Sequence, residues 1–80
     1  MKLTFLKSAE KVLKNYDNTT QISIAQAISK LPNGDIKKLQ GKKKLALYRL
    51  RAGKYRIIFE LAADEIVITK IDSRGDIYKN

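Results

Sequence analysis

Basic side chains cluster around one glycine in the second half of the sequence: Arg49, Arg51, Lys54 and Arg56 flank Gly53. An arginine guanidinium suits phosphate binding because it is planar, donates two parallel hydrogen bonds and keeps its charge at any cellular pH. The sequence contains no histidine and no cysteine. It therefore lacks the usual general base, a thiolate nucleophile and the commonest zinc ligands. Chemistry at this cluster would depend on cations that stabilise negative charge.

The charge of the whole sequence favours a polyanionic partner. Seventeen Lys and Arg against eight Asp and Glu give a formal net charge of +9 over 80 residues. A field of this sign attracts nucleic acid first and an acidic protein second. No metal-binding or nucleotide-binding motif is present in the sequence, so we expect no metal and no cofactor.

The length and the N-terminal segment predict a single cytoplasmic domain, residues 1–80. A chain of this length buries one modest core. No apolar run approaches the roughly 18 residues that cross a bilayer. Charged side chains occur in residues 1–16, where a signal peptide would be apolar, and they are Lys7, Glu10, Lys11 and Lys14. We therefore expect no membrane contact.

The N-terminal half of the sequence predicts one strand and two helices. Leu3 and Phe5 alternate with more polar neighbours in residues 2–6, which indicates a strand. Ser8 offers an N-cap for the first helix, and the polar break at residues 17–19 offers one for the second. The predicted buried positions are Ala9, Val12, Leu13 and Tyr16 in the first helix and Ile24, Ala25, Ile28 and Leu31 in the second. A Pro-Asn-Gly turn ends the second helix.

The C-terminal half predicts an antiparallel meander. Residues 35–44 have little apolar periodicity and are predicted to form a basic connecting stretch. Three runs rich in Tyr, Ile, Phe and Val follow at residues 45–51, 54–61 and 65–71 and are separated by turn residues. The predicted fold is α+β with the order βααβββ, in which an N-terminal helical pair packs on a small antiparallel sheet.

The short link at Ala52-Gly53 predicts the register of the first hairpin. A two-residue loop there would place Arg51 opposite Lys54 and Arg49 opposite Arg56. Alternation would turn Tyr48, Leu50, Tyr55, Ile57 and Phe59 towards the helices, and would leave Arg49, Arg51, Lys54 and Arg56 on the other face with Leu47 and Ile58. Like charges directly opposite each other cost from a few tenths to about 1 kcal/mol per pair. Three interpretations follow: an anion-binding face, a face whose arginines are neutralised by Glu60 or by an acid of the C-terminal segment, or simply a solvated sheet face.

Three segments give the sequence its resemblance to a known family. They are GDIKKLQG at residues 34–41, YRLRAGKYRIIFE at residues 48–60 and RGDIYK at residues 74–79. In this order and spacing they resemble the RelE/ParE toxins of type II toxin–antitoxin pairs, in particular the RelE branch. The resemblance covers almost the whole chain, although the N-terminal helices agree only in pattern.

The resemblance implies a ribosome-dependent endoribonuclease that cuts mRNA in the A site and is held inactive by a cognate acidic antitoxin. In such an enzyme the RNA 2′-OH attacks the adjacent phosphate, so neither a metal nor a protein nucleophile is required. Alignment with the family motif implies catalytic roles for Arg49 and Arg56 in stabilising charge, for Arg74 at the leaving group and for Tyr78 in orienting the substrate. The remaining basic residues expected to bind RNA are Lys37, Lys38, Lys42, Lys43, Lys44, Arg51 and Lys54.

The sequence departs from the family pattern at two positions. Leu47 stands where relatives can carry a lysine, and Ser73 stands where many carry a histidine before the final arginine. No general base is therefore identified, and Lys44 is a poor substitute because a lysine with its usual pKa of about 10.4 is mostly protonated. Two alternatives stay open: a ParE-like inhibitor of DNA gyrase, and a non-catalytic protein that binds RNA or its antitoxin.

Overall fold

A computed structural model of the protein describes residues 2–31, 33–39 and 46–73. The elements in chain order are β1 (Lys2–Phe5), α1 (Lys7–Lys14), α2 (Asn18–Ser29), β2 (Ile36–Lys38), β3 (Ala46–Ala52), β4 (Tyr55–Leu61) and β5 (Glu65–Asp72). The α+β class and the helical pair are confirmed. The sheet contains one strand more than predicted.

The strands form a single sheet in the order β1-β5-β4-β3-β2. β1 is parallel to β5, and the other neighbours are antiparallel. The prediction of a connecting stretch at residues 35–44 is wrong for Ile36–Lys38, which pairs with β3. Its single apolar residue, Ile36, packs against the core, and three residues at a sheet edge are too few to show a period of two.

The two helices cover one face of the sheet, with α1 over β5 and α2 over β3. The largest fully buried side chains are Phe59, Ile24, Leu50, Ile57 and Ile68. Tyr48 and Tyr55 pack against this core from its margin, so the predicted inward positions of the hairpin are confirmed. No helix in the described ranges is long and apolar enough to cross a bilayer.

One predicted core position in α2 is wrong. Ala25 is exposed, whereas Ala27 packs against the core together with Leu31. With Ile24 and Ile28 these residues give the spacing i, i+3, i+4 and i+7 of a single helical face. A residue directly after Ile24 lies about 100° further around the helix and leaves that face.

The start of α1 differs from the prediction because the sheet sets it. The N–H of Leu6 donates to the carbonyl of Ile68 at 3.0 Å, which continues the β1–β5 pairing up to this residue. The helix begins at the next residue, Lys7, with Leu6 as an N-cap that makes no side-chain hydrogen bond. Ser8 therefore lies inside the first turn and is not the cap.

Asp17 caps α2 as the polar break predicts, since its Oδ1 accepts a hydrogen bond from the N–H of Thr20 at 2.8 Å. Hydrogen bonding from the side chain and the backbone of Thr20 lowers the pKa of the Asp17 carboxyl from its usual value. The contribution of this carboxylate to stability is thus present above its unfolded-state pKa of about 3.9 and is lost as pH falls through the lowered folded-state pKa.

Replacement of this carboxyl tests the cap. Asp17→Asn retains a capping oxygen, so its urea unfolding midpoint at pH 7 should stay near that of the wild type. Because the variant has no carboxyl to protonate, its midpoint should fall less between about pH 5 and pH 2. Identical acid dependence of the two proteins in urea titrations would show that the Thr20 hydrogen bond does not favour the charged carboxylate.

Candidate functional site

The loop between β3 and β4 is Gly53-Lys54 and not Ala52-Gly53. Gly53 has a φ of 62°, a value that side chains disfavour, so the glycine occupies the first position of the two-residue loop. Arg51 consequently faces Arg56, and Arg49 faces Ile58. The predicted register is wrong by two residues. Because a shift of two preserves alternation, the predicted faces of β3 and β4 survive the error.

We define the open face as the sheet face opposite the helices. Register and alternation give its members near the hairpin as Lys37 of β2, Leu47, Arg49 and Arg51 of β3, Arg56, Ile58 and Glu60 of β4, and Lys70 and Asp72 of β5. Four of the predicted site residues are therefore brought together: Lys37, Arg49, Arg51 and Arg56. Arg49 lies between Lys37 on one side and Ile58 on the other, while Arg51 lies beside Arg56.

Two predicted RNA-binding residues lie elsewhere. Lys38 is opposite Tyr48, whose ring packs against the core, so Lys38 belongs to the helix side of the edge strand. Lys54 lies in the loop, and its Nζ is 5.5 Å from the centroid of the Tyr55 ring. Lys54 was expected on a strand opposite Arg51, and the position of the loop removes it from that row.

The Arg49 side chain is largely buried on the open face. Its side chain is only 12% exposed, and its Nη2 is 3.6 Å from Oδ1 of Asp35. Its Nε is buried without a hydrogen-bond partner in the described part of the chain. Ile58 is 7% exposed although no described helix covers it. Its register partners are Arg49 and Lys70, and we infer that the aliphatic stems of these two side chains shield it.

Arg56 bends towards the hairpin loop. Its Nη1 lies 3.4 Å from the carbonyl oxygens of Gly53 and Tyr55, at the long limit for hydrogen bonds. Its Nε is also buried without a hydrogen-bond partner among the described residues. On β5 the residue opposite Arg56 is Asp72. This register fits the expectation that a C-terminal acid offsets the arginines, whereas Glu60 faces Leu47 and Val67.

Sequence reasoning missed Asp35 as a member of this site. Its carbonyl accepts a hydrogen bond from the N–H of Arg51 at 3.0 Å, which fixes the residue at the rim of the open face. Its carboxylate forms the ion pair with Arg49 that the described residues contain. One sequence signal was available: Asp35 is the sole acidic residue between Asp17 and Glu60.

A tyrosine pair lies at the loop end of the sheet. The rings of Tyr16 and Tyr55 are tilted by 51° with centroids 5.1 Å apart. Burial first, and then the charges of Tyr55 and Asp72, raise the pKa of the Tyr16 hydroxyl above its usual value. Tyr16 therefore stays protonated at neutral pH. Tyr55 directly precedes Arg56 in β4, so the tyrosine pair lies at the same end of the sheet as Arg51 and Arg56.

Other predicted site residues lie outside the described residues. They are Lys42, Lys43, Lys44, Arg74 and Tyr78. Within residues 2–31, 33–39 and 46–73, no group of three or more Asp or Glu residues is arranged to hold a metal ion.

The known proteins most informative for this chain are toxins. The family model described as the ParE toxin of the type II toxin–antitoxin system parDE matches residues 3–78. A chain in the crystal structure of the archaeal RelE–RelB complex from Pyrococcus horikoshii OT3 is 26% identical. The alignment covers 92% of this chain and 94% of that chain, with a TM-score of 0.77.

Two further solved structures share the fold. A chain in the RelB–RelE antitoxin–toxin complex from Methanococcus jannaschii is 29% identical, with 95% of each chain covered and a TM-score of 0.73. A conserved hypothetical protein from Helicobacter pylori is 18% identical, with 89% of this chain and 91% of that chain covered and a TM-score of 0.60. That last likeness concerns the fold alone. A search of curated protein sequences found no match.

The facing pair Arg51 and Arg56 generates a stability prediction. Replacing Arg51 with Thr, a good strand former, removes the like-charge contact and should raise the free energy of unfolding by a few tenths to about 1 kcal/mol in low salt. Guanidinium chloride is itself a salt and would screen this repulsion, so unfolding is best measured by urea titration. The gain should shrink at about 1 M NaCl because salt screens the repulsion.

The control is Lys70→Gln, which also removes an exposed cation from a strand of the open face but keeps the methylene stem that shields Ile58. Lys70 faces Ile58 and no cation, so this variant should show no comparable gain. Equal stabilisation by the two substitutions would assign the effect to net charge and not to the Arg51–Arg56 contact.

Proposed function

This chain belongs to the ParE toxin family of type II toxin–antitoxin systems, within the RelE/ParE superfamily, and we propose that it acts by cutting mRNA on the ribosome. The observation that carries the proposal is the open face. It gathers Lys37, Arg49, Arg51 and Arg56 on neighbouring strands. A row of cations that includes a facing arginine pair weakens a sheet unless an anion occupies it.

The buried Nε atoms add to this argument. Buried N–H groups in proteins nearly always have a hydrogen-bond partner, and each one without a partner costs about 1–3 kcal/mol. Both Arg49 and Arg56 carry such an Nε within the described part of the chain. Among the described residues, the two Nε groups therefore have hydrogen-bonding capacity that no protein group uses. A phosphate diester, with its several acceptor oxygens, is a natural ligand for them.

The proposed reaction needs charge stabilisation more than it needs a protein nucleophile. The RNA 2′-oxygen bonds to the adjacent phosphorus as its proton leaves, and the bond from phosphorus to the 5′-oxygen then breaks. The products are a 2′,3′-cyclic phosphate and a 5′-hydroxyl, whose proton comes from water or from the group that accepted the 2′-proton. Arg49 and Arg56 would neutralise the charge that grows on the phosphorane oxygens. Arg74 would act at the leaving oxygen and Tyr78 on the base, as the family motif implies.

The guanidinium groups serve in this proposal as charges and not as acids. A guanidinium group keeps its proton at any cellular pH, so direct proton donation by Arg56 or Arg74 would be costly. Because the sequence has no histidine, the proton acceptor must be a lysine, a tyrosine, a carboxylate or a group of the ribosome. Ribosomal positioning of the mRNA would supply the in-line geometry.

An acidic antitoxin is the proposed partner of the open face. The two archaeal relatives were solved as complexes of RelE with RelB. A net charge of +9 favours an acidic segment that covers the basic face and blocks RNA from it. With this substrate and partner, the proposed site of action is the cytoplasm.

Inhibition of DNA gyrase is the second candidate, and one observation favours it: the family model that matches residues 3–78 is the ParE model. The clustered arginines favour RNA cleavage instead. The two activities differ in their substrates, so a pair of assays on one protein preparation separates them.

The direct test supplies the purified toxin to ribosomes translating a defined mRNA and maps the mRNA 5′ ends by primer extension, beside a gyrase supercoiling assay. We expect new 5′ ends within codons positioned on the ribosome, no cleavage of the naked mRNA, and unimpaired supercoiling. Intact mRNA together with blocked supercoiling would transfer the proposal to gyrase. Intact mRNA with normal supercoiling would contradict both candidates.

The role of one arginine is tested by Arg56→Ala. The variant should cut ribosome-bound mRNA at least about tenfold more slowly, which corresponds to roughly 1.4 kcal/mol of lost transition-state stabilisation. Lys11→Ala is the control, because Lys11 is exposed on α1, on the covered side of the sheet, and its loss removes the same charge. Both variants should keep the circular dichroism spectrum of the wild type. Equal rates for the two folded variants would mean that Arg56 has no role beyond its charge.

A further inference from the structure

The contact between Asp35 and Arg49 involves one of the outer guanidinium nitrogens that a ligand of Arg49 would use. The Arg49 side chain is 12% exposed and its Nε is buried, so an incoming anion makes its first contact with the outer nitrogens of this guanidinium. One of these, Nη2, already lies 3.6 Å from Oδ1 of Asp35. An RNA phosphate that binds Arg49 would therefore compete with the Asp35 carboxylate.

The backbone holds Asp35 in place while its side chain stays accessible. Its carbonyl accepts from the N–H of Arg51 at 3.0 Å. The preceding residue is Gly34, whose φ of 118° turns the chain into β2. The Asp35 side chain, by contrast, is 59% exposed. The carboxylate can thus swing into solvent without any change in the strand pairing.

The contact between Asp35 and Arg49 is weak enough for another anion to replace the Asp35 carboxylate. The N···O distance of 3.6 Å exceeds hydrogen-bonding range. Ion pairs with one exposed partner contribute little to stability, because water solvates the carboxylate almost as well as the partner does. Lys37, the register neighbour of Arg49 on β2, remains available to a second anionic group beside it.

We propose that Asp35 is an internal anion that covers Arg49 in the free toxin and is displaced by a phosphate of the RNA backbone. Asp35 is then a positioning residue: it keeps the Arg49 guanidinium on the open face and sets the affinity of the site for RNA. The identity of the displacing anion rests on the proposed function. Displacement itself requires no cleavage, and binding can be measured apart from it.

The experiment measures the affinity of the full chain for a short, fluorescently labelled single-stranded RNA with 2′-O-methyl groups, which lacks the attacking hydroxyl. Fluorescence anisotropy at low salt should show that Asp35→Asn binds this RNA about fivefold more tightly than Asp64→Asn. Asp64 is exposed in the turn between β4 and β5, and its replacement corrects for the loss of one negative charge. Asp35→Glu should restore an affinity near that of the wild type.

Arg49→Gln completes the test. Asp35→Asn and Asp64→Asn are introduced separately into the Arg49→Gln protein. If Asp35 acts through Arg49, the two double variants should bind the RNA equally tightly. Equal affinities of Asp35→Asn and Asp64→Asn in the otherwise wild-type chain would overturn the proposal. So would a gain that persists without Arg49, or the absence of measurable RNA binding by Asp35→Asn.

The outcomes also separate this inference from the cleavage proposal and from a purely structural role. A toxin that binds the methylated RNA as predicted but leaves mRNA uncut on ribosomes would retain the inference and refute cleavage. A structural Asp35 would instead show a lower urea unfolding midpoint in Asp35→Asn and no gain in RNA affinity.

Discussion

The positive φ of Gly53 fixes the register of β3 against β4, and the arrangement of charges on the open face depends on that register. With Gly53 at the first loop position, Arg51 faces Arg56 and Arg49 faces Ile58. The same register places Leu50 opposite Ile57 under the helices. One turn therefore determines both the centre of the core and the crowding of the arginines.

The two faces of the sheet have opposite energetic consequences. On the helix side, burial of Phe59, Ile57 and Leu50 supplies apolar stabilisation at about 25 cal/mol per Å². On the open face, facing cations and buried Nε atoms reduce the net stability. Asp35 and Asp72 sit at the two flanks of this arginine row and offset part of its charge. In the proposed function, this face is the anion site of an otherwise ordinary α+β fold.

Sequence reasoning succeeded where the physical signal repeats along the chain. Alternation assigned Tyr48, Leu50, Ile57 and Phe59 to the core side even though the predicted register was two residues off, because a period of two is unaffected by that error. It failed where one local contact decides the structure. The sheet hydrogen bond of Leu6 displaced the predicted Ser8 cap.

The parts of the candidate site that the sequence did not predict also depend on single local contacts. β2 is three residues long and lies at an edge, so its pairing with β3, and with it the position of Asp35 beside Arg49, cannot be derived from periodicity. The position of the loop depends on where Gly53 lies within it. The sequence is compatible with this glycine at the second loop position, as predicted, or at the first, as observed. The family motifs predict the arginines of the proposed site, but they do not indicate which acids lie beside them.

The most direct measurement of the central claim is an NMR titration of the 2′-O-methyl RNA into uniformly ¹⁵N-labelled toxin, followed through the arginine Nε–Hε and backbone amide resonances. The account predicts shifts at the Nε–Hε groups of Arg49 and Arg56 and at amides of β2, β3 and β4, with α1 and α2 unchanged. Shifts confined to the helices, or arginine side-chain resonances that do not respond to RNA, would contradict it.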